Sequence, residues 1–168
     1  MSERQIFGKL KLDKIPYEGS QVDPEKSKSQ MQKLLQKYGA DPVQWTQSGD
    51  NIVLRFGIRV EVKGVIKDLA IELAPPRFEK KVKQWNKSKS AYDHAFVPDT
   101  KRGLRLLYFY LKSKLEAIGF GLVDAEKEFL SQIVVQLPEG PRTVGQLLEP
   151  IMAKGLESLP HTMEVEVE

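Results

Sequence analysis

The sequence predicts an α+β fold, in which an antiparallel meander of three to four strands packs against two main helices and a C-terminal helical segment follows. Strict alternation of apolar residues over residues 52–62 predicts a strand that is buried on one face. Apolar residues at helical spacing over residues 24–38 and 100–118 predict the two helices that cover it.

The first helix and the meander have clear boundaries in the sequence. Asp23 is a suitable N-cap, Pro24 fits the first helical position, and Gly39 suits a left-handed C-terminal cap. The meander is expected to follow, with strands at 43–47, 52–62 and 67–73 and turns at 48–51 and 63–64.

The second half of the chain is expected to be mainly helical. The second main helix begins near Asp99 or Thr100 and ends at Gly119. The features expected after it are a short helix capped by Asp124 that carries Phe129, Leu130 and Ile133, a brief strand at 134–137, a capping box of Thr143 with Gln146, and a final helix bent or interrupted at Pro150.

A chain of 168 residues is long enough for one domain with a substantial core. We expect an extended arm or strand at 1–22, a single domain at 23–156 containing a long basic loop at 77–100, and an acidic tail at 157–168. The sequence has no apolar run near the roughly 20 residues of a membrane span, and its charged N-terminus is unlike a secretion signal. The expectation is a cytoplasmic protein with no membrane partner.

Charge is distributed unevenly along the chain, whose net charge is +3. Residues 77–114 contain 11 basic and 3 acidic residues, whereas residues 115–168 contain 3 basic and 10 acidic residues. Basic segments attract phosphate backbones and acidic protein surfaces. The basic middle therefore predicts a nucleic-acid contact, with a merely solvated loop or an acidic protein partner as the alternatives.

The candidate nucleic-acid site surrounds Trp85. Cations that meet phosphates, combined with aromatic rings that stack on bases, are how single strands are bound without sequence preference. Arg55 and Arg59 lie on the polar face of the central predicted strand and would extend the surface. The predicted binding residues are Arg55, Arg59, Lys80, Lys81, Lys83, Trp85, Lys87, Lys89, Lys101, Arg102 and Arg105, with Tyr92 and Phe96 nearby.

A metal-dependent nuclease is an alternative, because Asp50, Glu61 and Lys63 have the spacing of an Asp…Glu-x-Lys motif that holds Mg²⁺. The predicted strand opposes it, because 11 residues at about 3.3 Å each place Asp50 and Glu61 roughly 36 Å apart. Only a sharp bend, for which Gly57 is the candidate, would bring the carboxylates together. We therefore predict no catalytic residues and no enzyme.

Other chemistry finds little support in the sequence. It contains no cysteine and 2 histidines, and it has no glycine-rich phosphate loop, so we predict neither a metal site nor a cofactor. His94 follows Asp93, but no third group is tied to the pair, and we expect an exposed loop histidine. The neighbours Tyr108, Phe109 and Tyr110 give the second helix extra apolar surface, which predicts either simple core or a homodimer or partner contact.

Several short segments occur in a characteristic order: residues 17–20 (YEGS), 26–28 (KSK), 34–40 (LLQKYGA), 111–117 (LKSKLEA), 128–130 (EFL) and 142–145 (RTVG). Together they resemble a family of small uncharacterised proteins encoded by bacteriophages and prophages. The long helix of that family starts with tryptophan or Trp-Arg, and here only Arg105 of the Leu104–Arg105 pair matches. The resemblance implies a phage or mobile-element origin and brings no catalytic residue.

The leading expectation is a non-enzymatic nucleic-acid-binding accessory protein of a phage or mobile element, active in replication, recombination or transcription in the host cytoplasm. The alternative is a protein-binding modulator of a host enzyme or defence system, in which the basic loop meets an acidic partner or the acidic tail mimics nucleic acid.

Overall fold

The computed structural model describes Tyr17 and residues 19–155. Most of the predicted arm at 1–22 and all of the predicted tail at 157–168 lie outside the described residues. The elements in chain order are α1 (Pro24–Lys37), β1 (Val43–Ser48), β2 (Asn51–Val62), β3 (Val65–Leu73), β4 (Glu79–Asn86), β5 (Ala91–Pro98), α2 (Thr100–Gly119), α3 (Ala125–Glu128), a 3₁₀ turn (Leu130–Gln132), β6 (Val134–Leu137), β7 (Gly140–Thr143) and α4 (Val144–Gly155).

The first helix, α1, begins and ends as the sequence predicts. The Asp23 carboxylate accepts a hydrogen bond from the Glu25 N–H at 2.8 Å, and Pro24 occupies the first helical position. After the helix, Gly39 takes a φ of +87°, which residues with a Cβ rarely adopt. The face of α1 that points inward carries Met31 and Leu35, which are fully buried.

The meander is also confirmed: β1, β2 and β3 form one antiparallel sheet in that order. Ile52, Leu54 and Phe56 on β2 belong to the buried core, whereas Val62 at the far end of the strand is exposed. The alternation therefore predicts the strand correctly, but only its first half is used for the core. Lys63 and Gly64 both have positive φ, as a two-residue turn between right-twisted strands requires.

The second main helix, α2, supplies the other half of the core, and the α+β architecture follows from its packing with α1 on the sheet. Leu104, Leu107, Leu111 and Leu115 are buried in one cluster with Met31 and the inner face of β2. The Asp99 carboxylate caps α2 by accepting a hydrogen bond from the Arg102 N–H at 3.3 Å.

The long loop predicted at 77–100 is wrong, because β4 and β5 pair there as an antiparallel hairpin of 8 residue pairs. The Asn86 side-chain oxygen accepts hydrogen bonds from the Ser88 and Lys89 N–H groups, and Ser90 has a φ of +46°, which closes the turn. Polar and apolar side chains are mixed on both faces of the hairpin. The two strands therefore lack the apolar alternation that marks a half-buried strand in a sequence.

The C-terminal part differs from expectation in three details. The short helix α3 ends at Glu128, before Phe129, and the Asp124 carboxylate binds Lys127 rather than a backbone N–H. The final helix, α4, continues through Pro150 without interruption. Two other predictions for this part are confirmed. The strand predicted at 134–137 is β6. In the capping box, the Gln146 side chain accepts a hydrogen bond from the Thr143 N–H at 2.9 Å, and the Thr143 hydroxyl accepts one from the Gln146 N–H at 3.3 Å.

Replacing Leu111, which is 0% exposed, with alanine should lower the free energy of unfolding by about 2–5 kcal/mol, because the lost side chain leaves a cavity in the core. Leu122 is 82% exposed, so Leu122→Ala is the matched control and should change the free energy of unfolding by no more than about 0.5 kcal/mol. Urea denaturation of both variants measures the difference. Equal losses would contradict the position of the core.

Candidate nucleic-acid interface

The hairpin β4–β5 gathers aromatic and basic side chains on one of its two faces. Successive residues of a strand point to opposite sides, so the pairing register decides which side chains meet. Along β4, two lysines are followed by a ring, as Lys81, Lys83 and Trp85, and a ring stands opposite each of them. The aromatic–basic face consists of three cross-strand pairs: Lys81 with Phe96, Lys83 with His94, and Trp85 with Tyr92. A fourth pair, Glu79 with Pro98, lies on the same side at the base of the hairpin.

The rings on this face are open to solvent. Trp85 is 51% exposed, Tyr92 is 71% exposed and Phe96 is 68% exposed. The Trp85 and Tyr92 rings meet edge to face with their centroids 5.1 Å apart, so they form an aromatic pair at the end of the hairpin nearest the turn. The opposite face carries Val82, Ala95 and Val97, which are partly buried. The hairpin therefore turns its aromatic–basic face outward.

The lysines of the hairpin differ in whether they are paired with a carboxylate. Lys81 and Lys83 form no ion pair with any carboxylate in the part of the chain that the structure describes. Lys89 is bound to the Asp93 carboxylate at 3.0 Å. That hydrogen bond, and next the His94 backbone N–H, hold the pKa of Asp93 below its usual value. Lys81 and Lys83 are therefore the cations of the face with charge left for a ligand.

Two other predicted lysines of this segment lie off the face. Lys80 points to the opposite side of β4 from Lys81, and Lys87 lies in the turn. The sequence predicted an exposed loop histidine at position 94. His94 is exposed, but it lies on strand β5. Its side chain and that of Asp93 point to opposite faces, so the two form no acid–base pair.

The base of the hairpin is fixed to α2. The Asp99 N–H donates to the Phe78 carbonyl at 2.7 Å, and the Arg102 guanidinium lies over the Phe78 ring at 3.8 Å from its centroid. Arg102 was predicted to bind phosphate, but it is only 7% exposed and lies inside the protein. Gly103 lies directly against the Pro76 carbonyl, and Arg77 donates to the Asn51 side chain.

The other predicted cations are also separate from the face. Arg105 donates a hydrogen bond to the Gln30 side chain at 2.9 Å and stacks over Tyr108 and Phe109. It therefore links α2 to α1. Lys101 lies half-buried in the first turn of α2, next to the buried Arg102.

The two arginines of the central strand are paired across the outer side of the sheet. Arg55 binds Glu72, and Arg59 binds Asp68 through two hydrogen bonds of 2.7 and 3.1 Å. The contact with Arg59 lowers the pKa of Asp68. Both arginines therefore face a carboxylate of the neighbouring strand.

Tyr92, His94 and Phe96 are the residues of the face that sequence reasoning did not include among the binding residues. Their spacing of two residues is the signal that could have found them. It becomes meaningful only when β5 is recognised as a strand, since i, i+2 and i+4 then share one side.

The three adjacent rings of α2 have contacts within the chain. Tyr17 stacks on Phe109 with centroids 5.1 Å apart, and Tyr108 meets Phe109 edge to face. Lys114 lies over the Tyr110 ring and is paired with Glu128. A homodimer through these rings stays a prediction.

The nuclease motif does not come together. Asp50 precedes β2 and Glu61 lies at its far end, and β2 is a single strand of 12 residues that includes Gly57. Lys63 follows in the turn at that same far end. Within the described residues, no three histidine, cysteine or acidic side chains are grouped so that they could hold a metal ion.

In the described part of the chain, no helix combines the length and the apolar character needed to cross a bilayer. In comparisons with known proteins, no family model matches the chain, and neither a curated protein nor a solved structure is significantly similar to it. The resemblance to phage-encoded proteins therefore stays a prediction, and the function has to follow from the geometry of the hairpin.

We expect Gly103→Ala to lower the free energy of unfolding, although alanine favours helix by about 1 kcal/mol over glycine. The added Cβ would lie 2.5 Å from the Pro76 carbonyl oxygen, so the base of the hairpin would have to move. Urea denaturation measures the change. Ser113→Ala, at an exposed position of the same helix, is the control and should stay within about 0.5 kcal/mol. A stabilised Gly103→Ala would refute this close packing.

Proposed function

We propose that this protein is a non-enzymatic nucleic-acid-binding protein whose binding site is the aromatic–basic face of the β4–β5 hairpin. The observation that carries the proposal is the combination of two unpaired lysines with three exposed rings on one side of a ribbon. Solvated surface does not need exposed rings, since large apolar groups in water are unfavourable. A phosphate ligand with flat bases satisfies both groups at once.

The charge of the hairpin supports a polyanionic partner. Residues 79–98 contain 5 lysines, 1 glutamate and 1 aspartate, and the Asp93 carboxylate is already occupied by Lys89. An 8-residue strand is about 27 Å long at 3.4 Å per residue, so the ribbon offers an extended track rather than a closed pocket. Binding to such a track is dominated by phosphate contacts and should weaken as salt rises.

The biological setting follows from the predicted resemblance to phage and prophage proteins. A nucleic-acid-binding hairpin of this kind suits an accessory role in the replication, recombination or transcription of a mobile element. We place that role in the cytoplasm of the host cell.

Binding to a host protein is the second candidate, and the turn between α2 and α3 favours it. Phe120 is 88% exposed and Leu122 is 82% exposed, and neither lies on the hairpin. An apolar pair of this kind is typical of protein contacts. A partner that is retained from nuclease-treated lysate by the native chain, and lost by a Phe120→Ser, Leu122→Ser variant, would favour this second function.

The salt dependence of binding tests which lysines meet phosphates. Fluorescence anisotropy with a labelled oligonucleotide gives the slope of log K against log salt concentration. Each lost phosphate contact reduces that slope by about 0.7–0.9, so Lys81→Ala with Lys83→Ala should reduce it by roughly 1.4–1.8. Lys80→Ala removes one positive charge from the opposite face, so it should change the slope much less than Lys81→Ala or Lys83→Ala alone.

The controls decide between a site and a general charge effect. Equal effects of Lys80→Ala, Lys81→Ala and Lys83→Ala would contradict the assignment of the site to one face. Absence of binding at low salt would exclude the proposed function.

A further inference from the structure

We infer that the ligand of the aromatic–basic face is an extended single strand, which lies lengthwise on the ribbon with its bases over β5 and its phosphates over β4. This inference rests on the proposed function and adds the class of nucleic acid and its orientation. It follows from the way the face is divided between the two strands.

The two strands of the hairpin contribute different chemistry. On β5, the three aromatic rings of the face follow each other as Tyr92, His94 and Phe96, and Pro98 comes after them at the base of the hairpin. On β4, the residues opposite His94 and Phe96 are Lys83 and Lys81, and Trp85 closes the row beside Tyr92. Apart from Glu79 and Pro98 at the base of the hairpin, the β5 side of the face is thus a row of rings, and the β4 side has two lysines followed by Trp85. A nucleotide strand has the same division, with bases along one side and phosphates along the other.

The spacing of the rings decides between single and double strands. Neighbouring rings of β5 are two residues apart, which is about 6.7 Å along the strand. Phosphates of one strand in a DNA duplex follow each other at about 3.4 Å along the axis, and its bases are stacked on each other at that step. A duplex therefore cannot place successive bases on successive rings. A strand whose bases are unpaired and separated can.

The exposure of the rings supports the same conclusion. Tyr92 and Phe96 are more than two-thirds exposed. A duplex presents phosphates and base edges to a protein, so it would leave these apolar surfaces against charge or water. Unpaired bases present their faces, which stack on aromatic side chains irrespective of sequence. We therefore expect little sequence preference.

The test compares a short labelled oligothymidylate, the corresponding duplex and an abasic oligonucleotide of the same length at one low salt concentration. The native protein should bind oligothymidylate more tightly than the duplex. Removing the bases while keeping the phosphates should weaken binding about 5- to 150-fold for each stacked base.

The matched variants are Phe96→Ala and Phe120→Ala, since both remove an exposed phenylalanine but only Phe96 is on the face. Phe96→Ala should weaken oligothymidylate binding by the same 5- to 150-fold factor without changing the salt slope, and it should leave abasic binding unchanged. Phe96→Trp should restore binding, and Phe120→Ala should have no effect.

The outcomes separate this inference from the function on which it rests. If oligothymidylate, duplex and abasic strand bind equally and Phe96→Ala has no effect while Lys81→Ala does, the face binds nucleic acid but not as an unpaired strand. If none of the three binds, the proposed function itself fails. Tighter binding of the duplex would overturn the inference directly.

Discussion

The packing of Phe78 against the start of α2 determines where the aromatic–basic face lies. A two-stranded ribbon has little stability of its own, because too few side chains are buried between its strands. Here a backbone hydrogen bond from Asp99 and the guanidinium of Arg102 hold the residue that leads into β4. The helix that completes the core therefore also orients the ribbon, and folding of the core is a condition for forming the site.

The elements predicted correctly are those whose burial is one-sided. Alternation identifies β2, and apolar stripes identify α1 and α2, because each of these has one face in the core and one in water. Local end signals at Asp23 and Thr143 need no tertiary information, since the capping side chains bind their own helix. The hairpin has no such signature, because neither of its faces is fully buried.

The site was predictable in its composition but not in its arrangement. The sequence shows that lysines surround Trp85, but only the strand register separates Lys81 from Lys80 and brings Phe96 next to the former. Arg102 has the sequence context of a surface cation at a helix start. Its burial depends on Phe78, which lies 24 residues earlier in the chain and meets it only in the folded protein.

Successive side chains of β4 point to opposite faces, so the composition of the site depends on the number of residues in the strand. Deleting a single residue within this strand would rotate its remaining side chains by one position and exchange the contents of the two faces. Lys80, Val82 and Gln84 would then compete for the side that Lys81, Lys83 and Trp85 now occupy. Related chains with this ribbon should therefore tolerate changes of strand length in steps of two residues.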